Sequence, residues 1–263
     1  MYKIAIRSIL TLIIILLCLI VYLSTLGIKT SFFNKLILEK ITEIDQRINL
    51  ELEEVYLKLN LSSKEVIINT NNSIINIENN LITLSKIDLK LDLFSVLNSN
   101  QILKKIELEI KENSIKNVIN FANAYRLNLP LFFAQNQIEK GSVKANLILD
   151  YSKEKNAYNR IKASGQIIDL DFNLPSNKYL KKVNFDFNIQ NEIYIFKNLK
   201  FEYKKIPITS EKIQVIKKEE DYLVQGDLIN SKSLVNPINL INTFKVNFDL
   251  LSKKDINIET NNK

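Results

Sequence analysis

No histidine occurs anywhere in the 263 residues; there is no tryptophan, one cysteine, one methionine and only four residues each of glycine and proline. Each absence removes a class of chemistry. Without an imidazole the chain cannot build a Ser-His-Asp or Cys-His pair, an H-E-x-x-H zinc site or a histidine general base. The single thiol, Cys18, lies inside an apolar run, which excludes a disulfide framework and a cysteine-rich zinc site. Gly27, Gly141, Gly165 and Gly226 are too far apart for a G-x-G-x-x-G or Walker-type phosphate loop. The composition points to a non-enzymatic chain with no cofactor and no metal.

What is present is ordinary for a globular protein, with 46% hydrophobic and 25% charged residues. The formal net charge of +7 raises the question of nucleic acid or an anionic surface. The lysines, however, are interspersed with acids, as in Lys217-Lys218 followed by Glu219-Glu220-Asp221. That is the pattern of a solvated, mixed-sign surface, and no nucleic-acid partner is expected.

No charge falls between Arg7 and Lys29. At about 1.5 Å per residue, a helix of that length crosses a hydrocarbon core of about 30 Å. Residues 9–28 are therefore expected to form a transmembrane signal anchor after a short basic tail, residues 1–8. A cleaved signal peptide is the rival, but the run is longer than such an apolar region and no small-residue cleavage site follows. Basic residues flank both ends, so the positive-inside count does not orient the span. The short basic tail places the N-terminus in the cytoplasm and the body outside, in a periplasm.

Beyond the anchor, Phe33, Leu36, Ile37, Ile41, Ile44 and Ile48 recur at helical spacing and predict an amphipathic helix. It either caps a core or lies along the membrane interface. The period then changes to two, with a slip at Glu53-Glu54 that reads as a β-bulge before Val55, Leu57, Leu59 and Leu61. Short strands are predicted at Val66–Ile68, Ile74–Ile77 and Leu81–Leu84, then in IDLKLDLF, with Ile87, Leu89, Leu91 and Leu93 on one side, and in IELEI. A helix follows on the stripe Ile115, Val118, Ile119, Ala122 and Tyr125, with Asn113 or Ser114 as its N-cap. After Pro130 alternation resumes through Val143, Ala145, Leu147, Leu149 and Tyr151. It continues through Ile168, Leu170, Phe172 and Leu174, then Val183, Phe185, Phe187 and Ile189, and on to the end of the chain. Asn236-Pro237 predicts a short helix through Ile241. The pattern is still running at Lys263, so a longer architecture is expected.

The fold class expected is mainly β: an elongated, curved antiparallel sheet after an N-terminal transmembrane helix, with two or three short helices. It divides into an N-terminal module, 31–128, and a second β-module, 129–263. Carboxylate pairs such as Asp88 and Asp92, Glu107 and Glu109, or Asp169 and Asp171 could suggest glycosidase chemistry. Their spacing puts them instead on the wet face of strands. Phe185, Phe187, Phe201 and Tyr203 lack interleaved arginine and read as core, not as a base-stacking platform.

This order of features resembles the AsmA family of bacterial envelope proteins, which includes the YhdP and TamB groups. The span, the helix ending near Ile48 and the segments VYLKLNL, ITLSKIDLKLDLFSVL and KKIELEI are similar to that family's opening module. GSVKANLILDY, ASGQIIDLDFNL, YLKKVNFDFNI and YLVQGDLIN resemble the repeats of the YhdP-like branch. Where the family often carries a Thr-Gly pair before the first strand, this chain has Asp45-Gln46. The resemblance implies an inner-membrane protein with its bulk in the periplasm and a hydrophobic β-groove that moves phospholipid between inner and outer membranes. Leu57, Leu59, Leu89, Leu91, Leu147, Leu149, Phe185 and Phe187 are then the candidate groove lining, with membrane and phospholipid as partners. Two other readings are an envelope scaffold that binds outer-membrane or envelope proteins by strand addition, and a lipopolysaccharide-export adaptor.

Overall fold

A computed structural model describes residues 2–30, 34–35, 37–38, 42, 45–98, 103–127, 129–151, 161–174, 178–203, 206–218, 221–235 and 256–262. The apolar N-terminal run folds as one helix, α1 (Tyr2–Thr25), with Ile6–Thr25 long and apolar enough to cross a membrane. It stops earlier than the apolar run does. Gly27 adopts φ +76°, and the N–H groups of Leu26 and Gly27 both reach the Tyr22 carbonyl, at 2.9 and 3.1 Å, closing the helix through a left-handed residue. A Cβ here would lie 2.7 Å from the Leu57 carbonyl oxygen, so only glycine fits. Ile28, counted in the span from sequence, therefore belongs to strand β1 (Ile28–Lys29).

The strands that follow are β2 (Ile48–Glu51), β3 (Glu54–Asn60), β4 (Glu65–Asn71), β5 (Ile74–Ile77), β6 (Asn80–Asp92), β7 (Leu103–Ser114), β8 (Ile138–Asp150), β9 (Ile161–Leu174) and β10 (Lys178–Gln190). After them come β11 (Ile193–Tyr203), β12 (Ile206–Lys218), β13 (Asp221–Gly226), β14 (Leu228–Val235) and β15 (Ile256–Asn262). All join one open antiparallel sheet in the order β1-β3-β4-β6-β7-β8-β9-β10-β11-β12-β14-β15. β2 and β5 branch from β6, and β13 pairs with β12. The sheet is mainly a meander, because short turns favour antiparallel neighbours. Its pairing runs unbroken from β7 to β8, across the helices between them.

Three helices besides α1 are described in full: α2 (Leu93–Leu97), α3 (Ile115–Tyr125) and α4 (Leu129–Gln137). The helix expected after the anchor is described only in part, with Ile37 buried beside Leu50, Val55, Ile68 and Leu84; this favours the core-capping role. Phe33, Leu36, Ile41 and Ile44 lie outside the described residues, as does the helix expected at Asn236–Ile241. Ile48 is in β2, not in a helix.

Several sequence expectations change for identifiable reasons. The slip at Glu53-Glu54 is no bulge: β2 pairs with β5 while β3 pairs with β4 and β1, so the chain changes partner there. Leu93 opens α2, not the end of a strand, because the Asp92 carboxylate accepts the Ser95 N–H at 2.9 Å as an N-cap. No element is expected between Tyr125 and Val143, yet Leu129–Gln137 form α4, with Pro130 in its first turn, where its missing N–H costs nothing. Ser114 occupies the N-cap of α3 without a side-chain capping bond. The other end of α3 is held from a distance: Arg47 donates to the Ala124 and Tyr125 carbonyl oxygens at 2.9 and 3.3 Å, and to Asp45 and Glu78.

The register slips once between β7 and β8 and twice in each of the pairs β6/β7, β8/β9, β9/β10 and β10/β11; apart from the slip at Lys90–Leu91, these fall next to one another from strand to strand. Asp169, Lys182 and Asn198 sit in left-handed conformations at these slips, which form a band of bulges across the sheet. Bulges bend and twist strands, and here polar side chains satisfy the backbone groups they free. Asn113 accepts the Thr83 N–H at 3.0 Å and donates to the Thr83 and Lys111 carbonyls at 2.9 and 2.8 Å. Asp171 accepts the Lys182 N–H at 2.8 Å, and Asn184 accepts the Asp169 N–H at 3.0 Å. The Asp169 and Asp171 pair thus serves the bend. The slip also parts Ile168 from Leu170: Ile167, paired with Val143 and Phe185, shares the apolar face, and Ile168 does not.

Asn113 is buried, so Asn113→Ala is expected to leave backbone groups unpaired at a cost of about 2–3 kcal/mol. A urea titration of the full chain in detergent, followed by circular dichroism, measures this as a lower midpoint with unchanged slope.

Candidate functional site

Antiparallel register puts directly paired residues on the same face. Tracing partners from β3 gives the row Val55, Thr70, Ile87, Leu108, Leu147, Ala163, Ile189, Tyr194, Val215, Val224, which crosses ten strands from β3 to β13. Thr70 is its only polar member. Parallel to it run Leu57, Ile68, Leu89, Ile106, Leu149, Ile161 and Leu84, Ile110, Ala145, Gly165, Phe187, Phe196, Ile213, Gly226. At about 4.8 Å per strand, the longest row covers about 43 Å.

All eight lining residues expected from sequence lie on this face. Leu59 pairs through Val66 with Leu91, Phe185 joins through Ile167, and its ring meets that of Phe196 edge-on at 5.5 Å between centroids. They are not equally open. Leu57, Leu89 and Leu91 pack against the buried cluster that includes Ile37, while Phe187 packs against a second cluster of Ile115, Ile119, Ile138 and Val143 under α3 and α4. The described helices make their packing contacts with β3 to β9. Leu147 and Leu149 in β8, and Ile189, Tyr194, Phe196, Ile213 and Val215 in β10 to β12, are half-buried, and among the described residues no second layer is seen over β10 to β12. Tyr194 and Phe196 escaped the sequence reading. The signal was the turn at Asn191-Glu192, where both residues have positive φ and start a hairpin without glycine.

Gly165 lies in the floor of the face. A Cβ there would meet the Phe187 ring at 2.8 Å and the Lys144 carbonyl oxygen at 2.1 Å. The absent side chain lets the Phe187 ring lie across β9 and keeps the row apolar where a bulkier residue would push the strands apart.

The opposite face carries the charges. Lys90 and Lys105 both pair with Glu107, Lys104 with Asp92, Lys86 with Asp88 and Lys182 with Glu202. Asp88 shares this face but is buried, contrary to the wet position expected for it, and accepts from Asn69 and Lys86. A hollow of about 670 Å³ also opens on this face. It is a shallow trough around Glu109, Asn146, Ser164, Gln166, Asp186 and Lys197, mixed in sign and without convergent donors. Among the described residues, no group of three or more acids or cysteines could hold a metal.

Burial pushes the Glu107 carboxyl up, but hydrogen bonds from Lys105 and Lys90 outweigh it and hold the group below its ordinary value. Hydrogen bonds from Asn198 and Gln166 lower Asp186. At the anchored edge Glu54 accepts from both Lys29 and Tyr56, which lowers the carboxyl, and its bond raises the Lys29 ammonium; the Lys29 bond fastens β1 to β3.

No protein-family model, curated protein or solved structure matches this chain. The reading of its function rests on the geometry above and on the sequence pattern.

A carboxyl held below its ordinary value is deprotonated more readily in the folded chain than in the unfolded one. Its contribution is complete above that ordinary value, 4.5 for Glu107, and disappears as pH falls through the folded value. Melting of the wild type and of Glu107→Gln is therefore expected to differ most at about pH 6 and to converge by about pH 3. Thermal scans across that range check it.

Proposed function

We propose that this is a membrane-anchored, AsmA-like envelope protein whose apolar sheet face binds phospholipid and carries it across the strands between the inner and outer membranes. The observation that supports this best is the ten-strand apolar row, which starts buried beside the anchored edge and is half-buried from Leu108 to Val215. A contiguous apolar face of this extent marks a surface meant to be covered. Acyl chains suit it, because each CH₂ removed from water contributes about 0.8 kcal/mol and no directional bond fixes the chain in one place.

The anchor gives the row an origin. α1 passes into β1 through Leu26 and Gly27 alone, and β1 pairs with β3, the first strand of the row. Lipid leaving a bilayer at that edge meets apolar side chains in each successive strand. On this reading α1 spans the inner membrane once, with the sheet in the periplasm, and the chain needs no catalytic group.

A second reading is supported by one observation. β13 pairs with β12, and its residues are exposed throughout, including Tyr222, Leu223 and Val224. Such an edge accepts a strand from another protein, as an envelope scaffold requires.

A photo-crosslinking residue at Leu147 or Phe196 is expected to yield phospholipid adducts in native membranes. At the neighbouring outward positions Asn146 and Lys197, the same residue is expected to yield few. Circular dichroism first establishes that each variant folds. Equal adducts from both faces, or none from either, would favour the strand-addition scaffold.

A further inference from the structure

α4 is mounted in the opposite sense to an ordinary surface helix. Leu129, Phe132 and Phe133 fall at i, i+3 and i+4, one stripe of a helix, and they are 61%, 45% and 65% exposed. Leu131 faces the other way and packs against the buried cluster of Ile115, Ile119, Ile138 and Val143. The helix is therefore apolar on both sides, one side held by the sheet and the other bare. Leu127 and Tyr125, just before it, add 66% and 50% exposed side chains to the same corner.

The chain segment that forms this corner carries only basic charge; the acids that reach it in space, Asp45 and Glu78, are both paired with Arg47, which itself donates to the Ala124 and Tyr125 carbonyls. From Asn113 to Ile138 the chain contains Lys116 and Arg126 and no acidic residue, in a protein that otherwise mixes signs strand by strand. Both basic residues are exposed. Exposed aromatic and leucine side chains beside the basic Lys116 and Arg126, with the nearby acids already paired to Arg47, match a bilayer interface: rings enter the headgroup boundary while cations meet anionic lipid.

We infer that the outward stripe of α4, with Leu127 and Arg126, is a second membrane-contact site that seats on a bilayer surface containing anionic phospholipid. The site is separate from the apolar sheet face, because Phe132 and Phe133 point away from the sheet that Leu131 packs against. It stands whether or not lipid occupies that face.

The absence of tryptophan makes the test direct, since Phe133→Trp gives the chain its only indole. The full-length variant is reconstituted through its anchor into phosphatidylcholine–phosphatidylglycerol vesicles. Brominated acyl chains are placed either in the host vesicles or in added protein-free vesicles. The expected result is blue-shifted emission at position 133, quenched at least about twofold by bromine in one of the two arms. An indole introduced by Asn117→Trp, on an exposed face of α3, is expected to stay unquenched. Replacing phosphatidylglycerol by phosphatidylcholine in the quenching arm is expected to weaken contact roughly tenfold, because the attraction of basic residues is lost. No quenching at position 133 in either arm, or equal quenching at 117 and 133, overturns the inference. So does blue-shifted, unquenched emission that vanishes on dilution, which assigns the stripe to a second copy of the chain. Loss of lipid crosslinking at Leu147 with quenching retained at 133 would remove the groove reading and leave this one intact.

Discussion

Side chains alternate between the faces of a β-strand, so a sheet keeps one apolar face only while every strand pairs in the same parity. In this protein that parity holds from Val55 in β3 to Val224 in β13. A slip of one residue in any strand would place its lysines and acids among the leucines. The sheet nevertheless bends, and bending requires slips. Most of them fall in a band in which adjacent strands slip together, so the face returns in phase on the far side. Asn113, Asp171 and Asn184 take up the backbone groups that the band frees, which makes a few polar side chains responsible for the continuity of an apolar surface.

The same parity sets what the two faces can do. One carries the continuous apolar rows, and among the described residues α3 and α4 pack on β5 to β9. The other is held by cross-strand ion pairs of modest individual value. The anchor joins at the sheet edge through two residues, with Gly27 in a conformation other residues avoid and Glu54 bonding both Lys29 and Tyr56. Anchor and sheet are thereby coupled, and the apolar rows begin where the helix ends.

Much of this was legible in the sequence because alternation is local. Leu147 and Leu149, or Phe185 and Phe187, identify their face without knowledge of any partner. The bulges were not legible, since a left-handed Asp169 or Lys182 has no local signature and its effect is to invert the pattern beyond it; Ile168 was assigned the face that Ile167 occupies for this reason. α4 was not anticipated, because Leu129, Leu131, Phe132 and Phe133 are spread around the helix and leave no single amphipathic stripe in the sequence. The partner change at Glu53-Glu54 produces the same two-residue slip in the pattern as a bulge does. Which lining residues are open could not be read either, because Ile37 reaches Leu57, Leu89 and Leu91 only through tertiary packing.

The claim that the open apolar face carries lipid is tested most directly by native mass spectrometry of the full chain extracted from its own membranes in mild detergent. The account predicts bound phospholipid on the wild type and on Asn188→Asp, a change on the charged face, and its loss from folded Ile189→Asp, where a carboxylate enters the longest apolar row. Wild-type protein free of phospholipid, or equal lipid on the two variants, would contradict it.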